Sequence, residues 1–290
     1  LDGYPDIYIG NDFHENDYLY INNGHGGFKD MISEATMHTS QFSMGVDAAD
    51  INNDALPDII SADMLPSDPV ILKRSLGEDE YNTFLLKIQE GYHYQYPRNS
   101  LQLNRGNGLF SETGLYSDVY ATDWSWSTLW IDFDNDGLKD LFVSNGIPKR
   151  LNDIDYINYI SNEEIQSRMG GREMRSGDMD MQLIDKFPQI KLPNRFFKNK
   201  GNVSFEDISN EILDNRDTYS NGSTYADFDN DGDIDIVVNN IEDAVLLYRN
   251  KANDHGENPS VRINLEGPPL NRNAVGARLL VFSGDNIRNY

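Results

Sequence analysis

The sequence predicts an all-β protein assembled from repeated units of about four short strands. The first observation is an acidic nine-residue pattern, D-x-D-x-D-G-x-x-D, which occurs twice in strict form and once in a looser form. The second is that short segments rich in β-branched and aromatic residues follow each copy, as strands do. The third is a recurring strand that ends in Asn, in most units before a glycine turn. Units of this kind must stack to bury their apolar faces.

The acidic pattern occupies residues 132–140 and 227–235 in its strict form. A looser copy spans residues 50–58, where Asn stands at position three and Ala stands at the glycine position. Residues 1–6 match positions four to nine of a further copy, so we expect the beginning of that unit to be missing.

Oxygen-bearing side chains at alternate positions of a tight loop suit a hard cation such as Ca²⁺, which binds about six to eight oxygens. Carboxylates at positions one, three and five would point inward, the backbone carbonyl of position seven would add a ligand, and Asp at position nine would close the shell. The sequence therefore predicts three calcium sites and part of a fourth. The candidate ligands are Asp132, Asp134, Asp136, Leu138 and Asp140; Asp227, Asp229, Asp231, Asp233 and Asp235; Asp50, Asn52, Asp54, Leu56 and Asp58; and Asp2 and Asp6.

The pattern allows two other interpretations. An EF-hand loop shares the first five positions but needs Glu at position twelve, where this chain has Ser61, Val143 and Val238. Asp, Asn and Gly are also ordinary turn formers, so a single copy could be only a turn. Three aligned copies favour a metal loop. We expect the copy at 50–58 to bind most weakly, because Ala is strained at positive φ and Asn carries no charge.

The charge of the chain narrows the range of partners. The 290 residues carry a net charge of −24 and show no basic patch to meet a phosphate backbone, so we expect no nucleic-acid partner. The same charge argues against electrostatic binding to anionic membranes. No apolar run approaches the roughly 18 residues of a transmembrane helix. The lack of cysteine excludes disulfides without fixing the compartment, whereas calcium loops favour a calcium-rich environment outside the cytoplasm.

The repeated units have the strand content of β-propeller blades with four strands each. Two longer connections, at about residues 67–97 and 149–193, interrupt the repeats. Apolar residues at helical spacing in both connections predict two helical inserts. Inserts of this kind usually decorate one face, where binding tends to be built, although they could equally be packing decoration.

The acidic loop after a strand, the glycine turn followed by Phe, and the Ser/Gly stretch before the next loop resemble the FG-GAP or VCBS repeats of integrin-α-like propellers. The resemblance covers roughly residues 1–250, and the run 271–282 resembles the start of an ASPIC/UnbV domain. It implies a partial propeller at 1–257 and a truncated β domain at 258–290. In such families the loop aspartates bind Ca²⁺ for structure. Similar proteins of Bacteroidota are often secreted or sit at the cell surface.

No sequence signature of a catalytic site is visible, since GxSxG, HExxH, P-loop and dinucleotide-binding patterns are all absent. The carboxylates could supply a glycosidase pair, but most of them belong to the predicted metal loops. Tyrosines within residues 92–96 are candidates for stacking on sugars, whereas Trp126 and Trp130 are expected to pack between units.

The sequence thus predicts a calcium-binding extracellular module, more readily a binding, adhesion or scaffold protein than an enzyme. The expected partner is a protein or glycan at the cell surface, and the module could be an accessory subunit of an outer-membrane complex that docks through the inserts. The alternative is a propeller-based hydrolase or lyase acting on glycans, with catalytic residues supplied by the inserts.

Overall fold

The computed structural model describes residues 2–13, 15–76, 79–161, 184, 186–254, 263–283 and 286–289. Within these residues the chain is mostly β, and its sheets are antiparallel apart from one short parallel pair. The all-β prediction is confirmed at this level. The described residues do not form a closed ring of sheets, so the propeller and its number of blades stay predictions.

Consecutive strands build four successive sheets, which we call units 1 to 4. The strands are β1 (Ile7–Ile9), β2 (Tyr18–Asn22), β3 (Phe28–Asp30), β4 (Thr39–Ser40), β5 (Val46–Ala49), β6 (Asp58–Ser61), β7 (Gln95–Tyr96), β8 (Ser100–Asn104), β9 (Phe110–Glu112), β10 (Ser125–Ile131), β11 (Asp140–Asn145), β12 (Arg195–Asn199), β13 (Phe205–Asp207), β14 (Ser220–Ala226), β15 (Asp235–Asn240), β16 (Leu246–Tyr248), β17 (Leu280–Ser283) and β18 (Asn286–Asn289). Unit 1 is β1-β2-β3, unit 2 is β5-β6-β8-β9, unit 3 is β10-β11-β12-β13, and unit 4 is β14-β15-β16. Units 2 and 3 therefore have the four strands that the repeat predicts.

Alternating side chains of unit 3 pack against both of its neighbours, because successive residues of a strand face opposite sides. Trp130 of β10 joins a buried apolar cluster with unit 2, whereas the next residue, Ile131, joins a cluster with unit 4. Phe197 and Phe196 divide in the same way on β12. The expected packing role is confirmed for Trp130, which is only 2% exposed.

Close backbone contact also joins unit 2 to unit 3. Gly45 lies so close to Trp126 that an added Cβ would clash with the Trp126 carbonyl oxygen. The Trp130 backbone N–H donates to Asp47 Oδ2 of β5 at 2.8 Å. The Ser/Gly stretch seen in the sequence thus allows the first strands of adjacent units to approach each other.

The two inserts leave from the ends of β6 and β11, which are the strand ends opposite to the acidic loops. They carry α2 (Pro69–Arg74), α3 (Tyr81–Gln89) and α4 (Ile154–Ile160), while α1 (Ile32–Ala35) follows unit 1. Asp68 begins α2 by accepting the backbone N–H groups of Val70 and Ile71 at 2.7 and 3.0 Å, as an N-cap residue does. Much of the second insert, residues 162–183 and 185, falls outside the described residues.

Contacts between the inserts bring them together at one end of the sheets. The Leu76 backbone N–H donates to the Asn152 carbonyl at 2.8 Å, and the Asn152 side-chain amide donates to the Leu76 carbonyl at 3.0 Å. The Arg74 guanidinium lies 3.0 Å from the Asp153 carboxylate. We call the end of the sheets that carries both inserts the insert face.

The C-terminal region contains a hairpin of β17 and β18. The predicted boundary between 257 and 258 falls outside the described residues. The Arg278 guanidinium donates to the Ala55 carbonyl at 2.9 Å, which places this region against the looser acidic loop. None of the helices in the described part of the chain combines the length and apolarity that spanning a bilayer requires.

Candidate metal centres

The three acidic loops share one internal hydrogen-bond pattern. In the loop of unit 3, Asp132 accepts the backbone N–H of Asp136 on Oδ1 at 3.0 Å and that of Gly137 on Oδ2 at 2.9 Å. Asp50 and Asp227 accept the bond that corresponds to the first of these at 3.0 and 3.1 Å. The looser copy therefore folds like the strict ones.

Two residues in the left-handed region turn each loop. Position four is Asn in all three loops, a residue that tolerates this conformation better than most. Its φ values are 59° at Asn53, 58° at Asn135 and 62° at Asn230. Position six has φ of 90° at Gly137, 96° at Gly232 and 68° at Ala55, so the predicted strain at Ala55 is confirmed. The turn at position six was predicted from the sequence, whereas the one at position four was not.

Ala55 offers a direct measure of that strain. In the left-handed region, an L-residue other than Asn or Asp destabilises the folded state by about 1–2 kcal/mol. Gly has no such strain, but its greater freedom in the unfolded chain lowers the stability of the folded state by up to about 1 kcal/mol. We expect Ala55→Gly to be as stable as the parent or up to about 1 kcal/mol more stable, and the reverse change Gly137→Ala to be about 1 kcal/mol less stable. Denaturant unfolding of both variants checks this, and a clear loss of stability in Ala55→Gly would show that Ala55 is unstrained.

Three carboxylates come together in each strict loop. Oxygens of Asp132, Asp134 and Asp136 lie within 4.8 Å of one another. Asp227, Asp229 and Asp231 form an equal group. A single Ca²⁺ can touch all three oxygens of such a group, because its oxygen ligands lie about 2.3–2.6 Å away on different sides. The structure thus brings together positions one, three and five, and the residues fit a divalent cation.

The looser loop has a weaker donor set. Asp50 and Asp54 supply carboxylates, while Asn52 supplies an amide that donates to Asp54 Oδ2 at 3.0 Å and accepts the Asp54 backbone N–H at 3.2 Å. Fewer charges leave less attraction for a cation, so the expectation of weaker binding at this loop stands as a prediction.

Position seven enters the loops through its backbone N–H, which donates to the carboxylate at position five. The distances are 2.8 Å from Leu138 to Asp136, 2.9 Å from Leu56 to Asp54, and 3.2 Å from Asp233 to Asp231. Tyr4 makes the same bond to Asp2 at 3.0 Å, so the half-copy has the same turn. The role of the position-seven carbonyls as ligands stays a prediction.

Position nine ties the loop to the third strand of its own sheet. Asp140 is fully buried, and its Oδ1 and Oδ2 accept the backbone N–H groups of Asn199 and Phe133, each at 2.8 Å. The three-carboxylate group of this loop does not include Asp140. The same pair of bonds is found at Asp58 and Asp235, and the Oδ1 bond is found at Asp6. Whether position nine also binds the ion stays a prediction, but its hydrogen bonds define a structural role.

Burial changes the ionisation of these carboxyls. Desolvation raises the pKa of Asp58 and of Asp140 to about 7, and the neighbouring carboxylates of each loop add to this rise. Burial also raises the pKa of Asp233 to about 6, although Asn253 donates its backbone N–H to that side chain at 2.9 Å. A divalent cation in the loop would favour the ionised forms, since an opposite charge lowers a carboxyl pKa.

The Asn at the end of each third strand connects adjacent units. The Asn199 amide donates at 2.9 Å to the carbonyl of Lys139 in its own loop and at 2.9 Å to that of Ile51 in the loop of unit 2. Asn250 does the same with Ile234 and with Phe133 of unit 3 at 3.3 and 2.7 Å. Each acidic loop of units 2 and 3 is thereby held by the following unit.

A basic side chain contacts each strict loop, which the sequence analysis missed. The Lys198 ammonium pairs with Asp134, and this contact raises the pKa of Lys198. Arg249 Nε donates to Asp229 Oδ2 at 2.6 Å, and its Nη2 lies 3.5 Å from Asp231 Oδ2. Both basic residues stand immediately before the strand-ending Asn, a signal that was present in the sequence.

Comparison with known protein families matches residues 1–61 and 91–143 to the FG-GAP-like repeat. The similarity to FG-GAP-like repeats therefore extends over less than half of the chain. The matched segments include the half-copy, the looser loop and the strict loop of unit 3. FG-GAP-like repeats suggest a binding or adhesion type of β-propeller module, and they are typical of extracellular proteins. The ASPIC/UnbV domain and the Bacteroidota context stay predictions. The search of curated proteins found no match to the chain.

Proposed function

We propose that the chain is a calcium-stabilised binding module that works outside the cytoplasm, in secreted form or at an outer-membrane surface. The observation that carries the proposal is the pair of three-carboxylate groups, one of them within the matched FG-GAP-like repeats. Carboxylates held this close repel one another unless a cation neutralises them. Calcium at extracellular concentrations would supply that cation, since weak loop sites fill in the millimolar range.

Bound calcium would act on the packing of the sheets. Positions one, three and five would be drawn to one centre, which would fix the loop between the first two strands of a sheet. The backbone of the unit 2 loop is also held by Asn199 of the next unit, and that of the unit 3 loop by Asn250. Ordering a loop therefore orders the contact between two units, and calcium would stabilise the row of sheets as a whole.

The proposed ligand site lies on the insert face, at the opposite end of the sheets from the calcium loops. A cavity of ≈ 410 Å³ opens there between α3 and β7. Its lining combines aromatic rings with side chains that form hydrogen bonds: Tyr81, Phe84, Tyr96 and Pro97 with Gln41, Asp79 and Gln95. The volume lies within the range of about 300–1,000 Å³ that small-molecule sites occupy.

One polar atom in this cavity wall has no partner in the described part of the chain. Gln95 is 6% exposed, and its Nε2 donates to the Glu15 carbonyl at 2.7 Å, whereas its Oε1 accepts no hydrogen bond. Asp79 accepts from Gln41 at 3.2 Å and lies 2.7 Å from the Lys87 ammonium. A buried acceptor without a donor is costly, but this oxygen is enclosed, so the acceptor that a ligand hydroxyl could reach is the partly exposed Asp79 carboxylate.

A neutral sugar fits this chemistry best. Aromatic faces stack on the apolar face of a pyranose, while amide and carboxylate groups bind its hydroxyls. The carboxylate of Asp79 and the net charge of −24 disfavour uronic or sialic acids. Tyr96, one of the stacking candidates from the sequence, lines the cavity, and Tyr94 packs on Phe84 with ring centroids 6.1 Å apart.

Saturation-transfer NMR with glucose, galactose, mannose, N-acetylglucosamine and glucuronic acid tests the ligand side. We expect at least one neutral sugar to show transfer, and Tyr81→Ala to abolish it because Tyr81 is the most exposed ring of the cavity, at 73%. The matched control is Tyr116→Ala, an equally exposed tyrosine outside the cavity lining at 74%, which should retain the signal. Transfer to none of the neutral sugars, or transfer that survives Tyr81→Ala, would contradict a sugar site here.

A further inference from the structure

The basic residues at the strict loops follow a regular relation to the acidic ones. Lys198 contacts position three of the unit 3 loop, and Arg249 contacts positions three and five of the unit 4 loop. In unit 2 the residue before the strand-ending Asn is Leu103, and position three is Asn52. The loop that lacks the third carboxylate thus also lacks a basic residue at this position, although the Arg278 guanidinium contacts its backbone at the Ala55 carbonyl.

The contacting basic residue offsets part of the charge of each strict loop. At positions one, three and five, the strict loops carry three carboxylates and one contacting cation each, which leaves a charge of minus two. The looser loop carries Asp50 and Asp54 with a neutral Asn52 and Leu103, which again leaves minus two. Lys139, which interacts electrostatically with Asp132, and Arg278, which contacts the Ala55 carbonyl, add positive charge near two of the loops, so the full balance differs from site to site.

The ion pairs that Lys198 and Arg249 form with the loops are partly exposed to solvent. The side chains of Lys198 and Asp134 are each 34% exposed, so the ion pair adds little stability by itself. Arg249 also binds Asp254 at 2.7 Å, outside the loop, which holds its guanidinium beside the carboxylates. A positive charge held this close opposes the entry of a second cation and competes for the oxygens of position three.

We propose that Lys198 and Arg249 are tethered counter-ions that lower the calcium affinity of the two strict loops below the level that three unpaired carboxylates would set. The inference rests on the proposed calcium binding. In the absence of calcium each basic side chain neutralises one carboxylate of its loop, and a bound ion displaces it from position three. Arg249 touches two loop carboxylates, so its effect on affinity exceeds that of Lys198.

Calcium titration calorimetry of the full chain at low ionic strength tests the proposal. Lys198→Met should bind calcium roughly three- to tenfold more tightly at one site, and Arg249→Met should show a larger gain at another, because each removes a nearby positive charge. Lys198→Arg should restore the parental affinity. Lys200→Met is the matched control, since Lys200 is two residues from Lys198 but pairs with Glu206 at 3.2 Å. The calcium affinity of this variant should equal that of the parent.

Adding the missing carboxylate to unit 2 gives a second test. Asn52→Asp should tighten the looser site, because Leu103, which stands where Lys198 and Arg249 stand in the other units, supplies no charge to offset the added carboxylate. Affinities that stay equal or fall in both Met variants, while the parent binds calcium, would overturn the counter-ion role alone. A parent chain that binds no calcium would overturn the proposed calcium sites and the counter-ion role together.

Discussion

Chelating calcium should lower the melting temperature of the full chain by several degrees or more. An ion that binds only the folded state at about 100 times its Kd stabilises that state by about 2.7 kcal/mol per site. For a protein of this size, about 1 kcal/mol corresponds to a shift of about 2–4 °C. The effect should be large because the carboxylate groups of units 3 and 4 both lose their cation.

Differential scanning calorimetry in calcium and in EDTA measures this shift. Magnesium added after chelation should recover only part of it, since Mg²⁺ demands a more regular and smaller shell than a flexible loop offers. Identical melting curves in calcium and in EDTA would remove the calcium-stabilised module as an explanation of the acidic loops.

Replacing Asp140 with alanine should lower the free energy of unfolding by about 2–5 kcal/mol, with and without calcium. The variant leaves the backbone N–H groups of Phe133 and Asn199 without their acceptor, and each unsatisfied buried donor costs about 1–3 kcal/mol. The loop of unit 3 would then separate from β12. Urea unfolding in calcium and in EDTA provides the two free energies.

Asp136→Ala is the matched control for this prediction. Asp136 belongs to the three-carboxylate group and is exposed, so its loss should lower stability mainly when calcium is present. Asp140→Ala should lower stability in both conditions. If the loss in Asp140→Ala were instead confined to calcium, position nine would act through the ion, as the sequence pattern alone suggests.

Local pattern was sufficient to predict the strands but not their partners. The segments after each acidic loop alternate β-branched and apolar residues, and they form β1, β6, β11 and β15 as predicted. The division of Trp130 and Ile131 between two neighbouring units depends on how the sheets stack, which no local pattern contains. The contact of Leu76 with Asn152 likewise depends on how the two inserts meet in the folded chain, which no local pattern contains.

The candidate site was likewise predicted only in part from the sequence. Spacing alone places positions one, three and five around a common centre, because alternate residues of a tight loop point the same way. The role of Asp140 depends on Asn199, which the insert separates from it by 59 residues in sequence. Lys198 and Arg249 were missed because a basic residue within or just after a strand is unremarkable by itself, and only its recurrence before Asn199 and Asn250 carries information.

The most direct test of the central claim is to count the calcium ions that the full chain binds. Calorimetric titration with calcium chloride should show two tighter sites in units 3 and 4 and a weaker one in unit 2. The double variant Asp134→Asn and Asp229→Asn should lose or strongly weaken the two tighter sites and keep the third. No binding by the parent chain, or unchanged tighter sites in the double variant, would contradict the assignment of the acidic loops as calcium sites.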